Sequence, residues 1–324
     1  MSSAKLVPET RELTGDDALA VLRRVGWLTL LKDAWQRLRV ADGFSHARSF
    51  AYLTSLVAIE ALVGLVGLAN VIHTGSLSRV IDAAILKVVP GPAGHTLTTA
   101  VSQANHNGAE HHYGAIVLGL VASLVTATTA MGQLERGLNR IYGVEQDRTF
   151  REKYLVAVLA ALGAGTLTTA AFVCLALGDQ LFTSNPSGLL GTLWSDLRWP
   201  LGIALIAIAV TVSFRQSPRR RQPRLSWMVV GSTISVSMWA LSTAGLGLFY
   251  WSSSSFGSTY GPLAGVVALL LWSLLSAISL FYGAAVAAQL EAVRAGVPGP
   301  QDQRKVASSD PETGDAASPT IHCS

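Results

Sequence analysis

The sequence is short of charge. Asp, Glu, Lys and Arg supply 14% of its 324 residues, against the ~25% a soluble domain carries. The chain therefore lacks the polar surface to cover a soluble globule of its size. It is also short of cysteine. Cys174 sits in an apolar run and Cys323 in a polar tail; a lone pair so placed is no disulfide framework, and Cys174 reads as a small core residue. The motifs GxxxxGK[ST], GxSxG, CxxC and HExxH are all missing. Their absence argues against a P-loop ATPase and a self-contained nuclease. No catalytic residue, cofactor or metal ion is expected. The first forty residues carry Glu9, Glu12, Asp16, Asp17 and several arginines with no early apolar stretch, so no secretory signal is read there. The first span is expected to act as an uncleaved insertion signal.

What the chain has instead is apolar length. Half of its residues are hydrophobic and the mean hydropathy is +0.41. Six runs, 49–72, 113–132, 154–177, 193–214, 226–250 and 262–290, are long enough to cross ~30 Å of hydrocarbon as helix. A lone open sheet cannot satisfy its backbone in lipid, so all six are read as helices. The expected fold is an all-α polytopic integral membrane protein, with a six-helix membrane domain over 49–291.

Ahead of it, residues 1–16 read as disordered and 17–48 as a cytoplasmic amphipathic helix. Leu22, Val25, Leu28, Leu31, Trp35 and Leu38 recur at helical spacing, with Arg23, Arg24, Lys32, Arg37 and Arg39 mostly between them. Such a helix lies either on the membrane surface or on the protein's own cytoplasmic face. The first outer loop, 73–112, predicts two short helices, over 76–89 and about 95–105, separated by Pro90-Gly91-Pro92. Residues 292–324, rich in Pro, Gly, Ser, Asp and Gln, read as a disordered tail.

The basic residues alternate by segment. Lys and Arg number eight before residue 49, five in 133–153, five in 215–225 and three after 290; the intervening loops hold two, one and none. Positive charge stays in the cytoplasm, so both termini are expected there. The segment "SFRQSPRRRQPRLSW" (213–227) becomes a cytoplasmic topology anchor with affinity for anionic headgroups. It is no nucleic-acid patch, because it is held at the membrane and lacks interleaved aromatics.

Several segments resemble a known family. "NRIYG" (139–143), "FRQSP" (214–218), "GSTISVSMWALSTAGLGLFY" (231–250) and "TYGPLAGVVALLLWSLLSAISLFYGAAVAAQLE" (259–291) together resemble the YihY/BrkB family of bacterial inner-membrane proteins, once mislabelled as ribonuclease BN. The resemblance implies six spans, an inner-membrane location and a link to envelope integrity or export of envelope lipid. This chain departs from the family's pattern in span one, which has Glu60 and no proline, and near the end of span six, where Gly283-Ala284-Ala285 is followed by its nearest acid only at Glu291.

Glu60 is the sharpest candidate for function. An ionisable residue mid-span is costly and tends to face a partner or a wet pathway; the alternative is a neutral carboxyl joining helices. Asn70, ten residues on, falls within ~80° of the same face, or simply ends the helix. In "GQLERGLNRIYG" (132–143), Glu135 with Asn139 and Arg136 with Arg140 are i,i+4 pairs. Together with Tyr142 they form a candidate headgroup site at the cytoplasmic mouth, or else a solvated helix extension. His73, His95, His106, His111 and His112 crowd the outer loop, too loosely spaced for a metal site. Gly257, Gly261 and Gly265, with Gly64 and Gly67, suit close helix packing. Trp199, Trp227 and Tyr250 read as interface anchors.

The function this supports is movement of a lipid or amphipathic envelope component across the bacterial inner membrane, without ATP hydrolysis by this chain. The alternative is a non-transporting scaffold for envelope assembly. Membrane lipids are the expected partners, nucleic acid is not, and a second copy of the chain remains open.

Overall fold

The computed structural model describes residues 4–10, 13–71, 75–109, 113–145, 148–176, 189–253 and 256–300. No strand occurs among them. The helices are α1 (Gly15–Val25), α2 (Trp27–Val40), α3 (Gly43–Val71), α4 (Gly75–Val88), α5 (Gly91–Ala109), α6 (Tyr113–Tyr142), α7 (Phe150–Ala176), α8 (Leu189–Gln216), α9 (Leu225–Ser252), α10 (Phe256–Tyr260) and α11 (Ala264–Arg294). Six of them, α3, α6, α7, α8, α9 and α11, are long and apolar enough to cross a membrane, as their composition predicted.

Their outer faces are what lipid requires. Leu118, Val121 and Val125 on α6, and Leu155, Leu159 and Leu162 on α7, form exposed stripes at helical spacing. In water such stripes would be a liability; in a bilayer they cost nothing. Association inside the bundle then rests on close packing and a few polar contacts. The Ser55 hydroxyl meets that of Ser273 at 2.8 Å, joining α3 to α11. Thr211 donates to Ser232 at 2.8 Å between α8 and α9, and the Trp272 indole donates to Thr243 at 3.1 Å between α11 and α9.

Glycine sets two crossings. A side chain on Gly231 of α9 would lie 2.6 Å from the Gly283 carbonyl oxygen and 2.8 Å from Ala287 Cβ on α11. Gly64 of α3 faces Gly119 and Leu120 of α6 in the same way. Of the glycines expected to pack at the start of the last span, Gly265 does so, against Thr96 and Pro92 of α5. Gly261 does not: it has φ +51° with open space around it, and it makes the turn between α10 and α11. Gly257 lies in α10 and Gly67 in α3.

The two helices expected in the first outer loop are present as α4 and α5. Ala93, Leu97, Val101 and Ala104 of α5 are buried with Val66 of α3 and Ala264, Ala268 and Leu269 of α11, so α5 caps one end of the bundle.

The opposite, arginine-rich end differs from expectation in three ways. The amphipathic segment is two helices, because Gly26 adopts φ +86°; Asp42, at φ 54°, turns the chain into α3. One face of α2 (Leu30, Ala34, Leu38) is buried in the core cluster shared with α11, and the Tyr282 hydroxyl donates to Leu31 O at 3.1 Å. Trp27, Leu28 and Trp35 stay exposed, so the helix serves the bundle with one face and offers apolar surface with another. Second, residues 4–10 are an ordered strap rather than a disordered leader: Ala4 N–H donates to Arg140 O and Val7 N–H to Tyr142 O, and both side chains are buried. Third, residues 295–300 continue from α11 in contact with the body, Lys5 N–H donating to Pro300 O at 2.9 Å. The rest of the expected tail, 301–324, lies outside the described residues.

Candidate functional site

Two features stand out, an apolar cavity inside the bundle and a buried polar network at its arginine-rich end. The cavity has a volume of about 450 Å³ and adjoins a second of about 280 Å³. Phe50, Thr54, Ala58, Thr168, Phe172 and Trp272 line both. Between them the two are walled by all six long helices, with Ile81 and Ile85 of α4, Val89 of the link that follows it and Leu97 of α5 closing one side. The volume exists because the walls are small residues: Ala58, Ala61, Ala127, Ala130, Ala161, Ala164 and Gly165. Two of the hydroxyls lining them are already committed. Thr54 donates to the carbonyls of Phe50 and Ala51, and Ser276 to that of Trp272. The cavity therefore offers dispersion contacts and few free polar groups, the environment an acyl chain selects. Ala161, Gly165 and Thr169 line both the cavity and a groove on the outer side of α7, so at this strip the wall is thin.

Glu60 is not on the cavity wall. It is half-buried in α3, one turn before Gly64, on the side that meets α6. Its Oε2 is enclosed with no hydrogen-bond partner, the costly arrangement anticipated for a mid-span carboxyl. Asn70 falls in the last turn of α3.

The remaining candidates sit roughly 20 Å away along the helix axis, at the end of α6. One face of that helix carries Glu135, Asn139 and Tyr142, all buried, while Arg136 points out and Arg140 is half-buried. The buried three fix the arginine loop. Asn139 Oδ1 accepts the Arg219 backbone N–H at 2.8 Å. Glu135 pairs with Arg148 at 3.2 Å. Arg148 in turn donates to the carbonyls of Gln216, Ser217 and Pro218, stapling the loop from three sides. Arg140 contributes its carbonyl, which accepts from Ala4.

The sequence reading missed the centre of this network. Arg37, expected on the polar face of its helix, is fully buried. Its Nε donates to Gln289 Oε1 at 2.8 Å, and its Nη1 donates to the carbonyls of Lys5 and Ile141, each at 3.1 Å. Burial, more than any neighbouring charge, pulls its guanidinium down to about 10, which still leaves it a cation at neutral pH. Arg220 is the inward member of the arginine run, pairing with Glu291 at 2.6 Å and lying 4.6 Å from the Tyr142 ring centre. Arg215, Arg219, Arg221 and Arg224 are exposed, as a topology anchor requires. Trp227, expected at the interface, is buried completely in the core beside Met228; Trp199 is exposed and Tyr250 half-buried. The network and the cavity are separated by the Phe50–Phe281 ring pair, 6.0 Å between centres, and by Gln133 beside His46. Of the outer-loop histidines, His95 and His106 lie on α5; His73, His111 and His112 lie outside the described residues.

Comparison with known proteins places this architecture. A family model described as virulence factor BrkB matches residues 34–308. The chain belongs to the BrkB family. The ribonuclease-like protein YfkH of Bacillus subtilis is 21% identical over 81% of this chain and 95% of its own length. A UPF0761 membrane protein of Alkalilimnicola ehrlichii is 24% identical over 81% of this chain, and one from Xanthomonas oryzae is 24% identical over 80%. The chain spans about 60% of the length of these last two. No solved structure matches. The BrkB match takes in the buried Arg37, the arginine loop and Glu291, and leaves the strap 4–10 outside it.

Proposed function

We propose that this BrkB-family protein moves a lipid or other amphipathic envelope component across the bacterial inner membrane, with both termini in the cytoplasm and no ATPase or other enzymatic activity of its own. The observation that carries the reading is the pair of adjoining apolar cavities walled by all six long helices. A packed scaffold has no use for such a volume, since interiors are otherwise filled to crystal-like density. The thin strip at Ala161, Gly165 and Thr169 supplies a lateral route for acyl chains. Glu60, off the cavity wall but in the same stretch of α3 as its lining residues Val57, Ala58 and Ala61, has an enclosed and unpartnered oxygen and is the candidate polar group beside the path.

The test is transbilayer movement of a fluorescent phospholipid in liposomes holding the purified protein. Wild type is expected to move the probe. Ala58→Trp, which fills the volume where the two cavities meet, is expected to reduce movement to the level of empty liposomes while the protein remains monodisperse. Glu60→Ala is expected to abolish movement without loss of folded protein. No movement by wild type across several headgroups would overturn the reading in favour of a scaffold.

A further inference from the structure

The buried centre at the arginine-rich end has more cation than anion. Among the described residues Arg37 has no carboxylate partner: every acceptor it meets is a neutral carbonyl or amide oxygen, and its Nη2 is enclosed with no acceptor. Arg220 has one carboxylate, Glu291, and its Nε and Nη1 are likewise enclosed and unmatched. Its side chain is only 2% exposed. Buried guanidinium N–H groups without acceptors are unfavourable, and they mark where an acceptor-rich group belongs.

The strap lies against the same two guanidiniums through their other N–H groups. Lys5 O accepts from Arg37 Nη1 at 3.1 Å and Pro8 O from Arg220 Nη2 at 3.3 Å. Glu9 Oε1 accepts the Arg221 backbone N–H at 3.1 Å, and Thr10 donates its hydroxyl to Glu291 at 2.7 Å. Two strap carbonyls thus take one N–H group from each guanidinium, beside the Arg37 Nη2 and Arg220 Nε and Nη1 groups that stay unmatched. The strap has no helix of its own; besides these polar contacts it is fixed by three backbone hydrogen bonds, from Ala4, Lys5 and Val7, and by two small buried side chains, Ala4 and Val7.

We propose that Arg37 and Arg220 form a binding site for a phosphate group, free or on a lipid headgroup, and that residues 4–10 fill this site as a displaceable substitute. Two guanidiniums met by one strap, each with open N–H groups, suit a tetrahedral oxyanion, which accepts on multiple oxygens, better than a halide. Glu291 lies beside Arg220 and opposes any anion there, so the site takes a group that Arg37 holds principally. The site is independent of the transport reading, because phosphate binding here and lipid movement through the cavity are measured separately.

The experiment is titration of the full-length protein in detergent with inorganic phosphate, read by thermophoresis, for wild type and for Val7→Asp, which expels the buried anchor of the strap. Val7→Asp is expected to bind phosphate at least tenfold more tightly than wild type. Adding Arg37→Met to it is expected to abolish that gain; the substitution leaves the acceptors at Gln289, Lys5 and Ile141 without this donor, so a size-exclusion profile and melting temperature matching those of Val7→Asp alone are part of the expected result. A phosphate affinity unchanged by Val7→Asp, or a gain surviving Arg37→Met, would overturn the proposal. Nanodiscs containing phosphatidic acid, compared with phosphatidylcholine alone, separate the sources. Competition with inorganic phosphate assigns the site to a headgroup, and binding without competition assigns it to free phosphate.

Discussion

Gly283→Leu is expected to yield no monodisperse protein in detergent, whereas Gly245→Ala purifies like wild type. The contrast follows from what a new side chain would meet. At Gly283 it would run into the Ser235 hydroxyl and the Gly231 carbonyl of α9. A carbonyl on a neighbouring helix cannot rotate away, so accommodation means separating two whole helices. Overpacking that side chains can relieve costs ~1–3 kcal/mol; here backbone meets backbone, and the cost is expected to exceed that range. The damage would spread, because the stretch from Gly283 to Ala288 is almost completely buried. At Gly245, in the same α9, nothing lies within 4 Å of an added Cβ. Alanine there is expected to gain about 0.5–1 kcal/mol through helix propensity. Size-exclusion profiles of the two variants measure the difference.

Glu291→Ala is expected to destabilise the protein by about 3–5 kcal/mol, the cost of stranding a buried charge. Arg220 would lose its counter-ion in a place where its side chain is 2% exposed, and the Thr10 hydroxyl would lose its acceptor. The double variant Arg220→Met with Glu291→Leu removes both charges, so it is expected to recover most of the loss. Thermal unfolding of wild type, Arg220→Met, Glu291→Leu and the double variant in one detergent gives the coupling directly. A double variant as unstable as the sum of the singles would show that the ion pair is not the unit that matters.

The six spans were legible because each is a local property: enough consecutive apolar residues to cross the hydrocarbon. Their ends were less so. Span one was read from residue 49, but its helix begins at Gly43, since six half-polar residues outside the apolar core continue the same hydrogen-bond ladder. The charge count could locate the arginine run at one end, yet it weighs every arginine alike. What distinguishes Arg220 from Arg219 and Arg221 is a carboxylate 71 residues away, and Arg37 is identified by Gln289, 252 residues away. The strap 4–10 has no periodicity, so it reads as disorder; its order comes from carbonyls at Arg140, Tyr142 and Pro300. The cavity was invisible for a related reason. Ala58, Ala61, Ala127, Ala130, Ala161 and Ala164 look in sequence like close-packing residues, and only the placement of the helices decides that these six face a void while Ala284, Ala285, Ala287 and Ala288 face a helix. Glu60 was legible from chemistry alone, since a carboxyl mid-span stands out wherever its neighbours lie.

Whether an acyl chain enters the bundle can be read directly. A phospholipid carrying a photoactivatable group near the end of one acyl chain, irradiated in liposomes with the wild-type protein, labels whatever surface its tail touches, and mass spectrometry reads the labels residue by residue along α7. Label on Thr168 and Phe172, which line both cavities, and its loss in Ala58→Trp, is the result expected of a protein that takes lipid tails inside. Label confined to Leu155, Leu159 and Leu162 on the exposed stripe would contradict it.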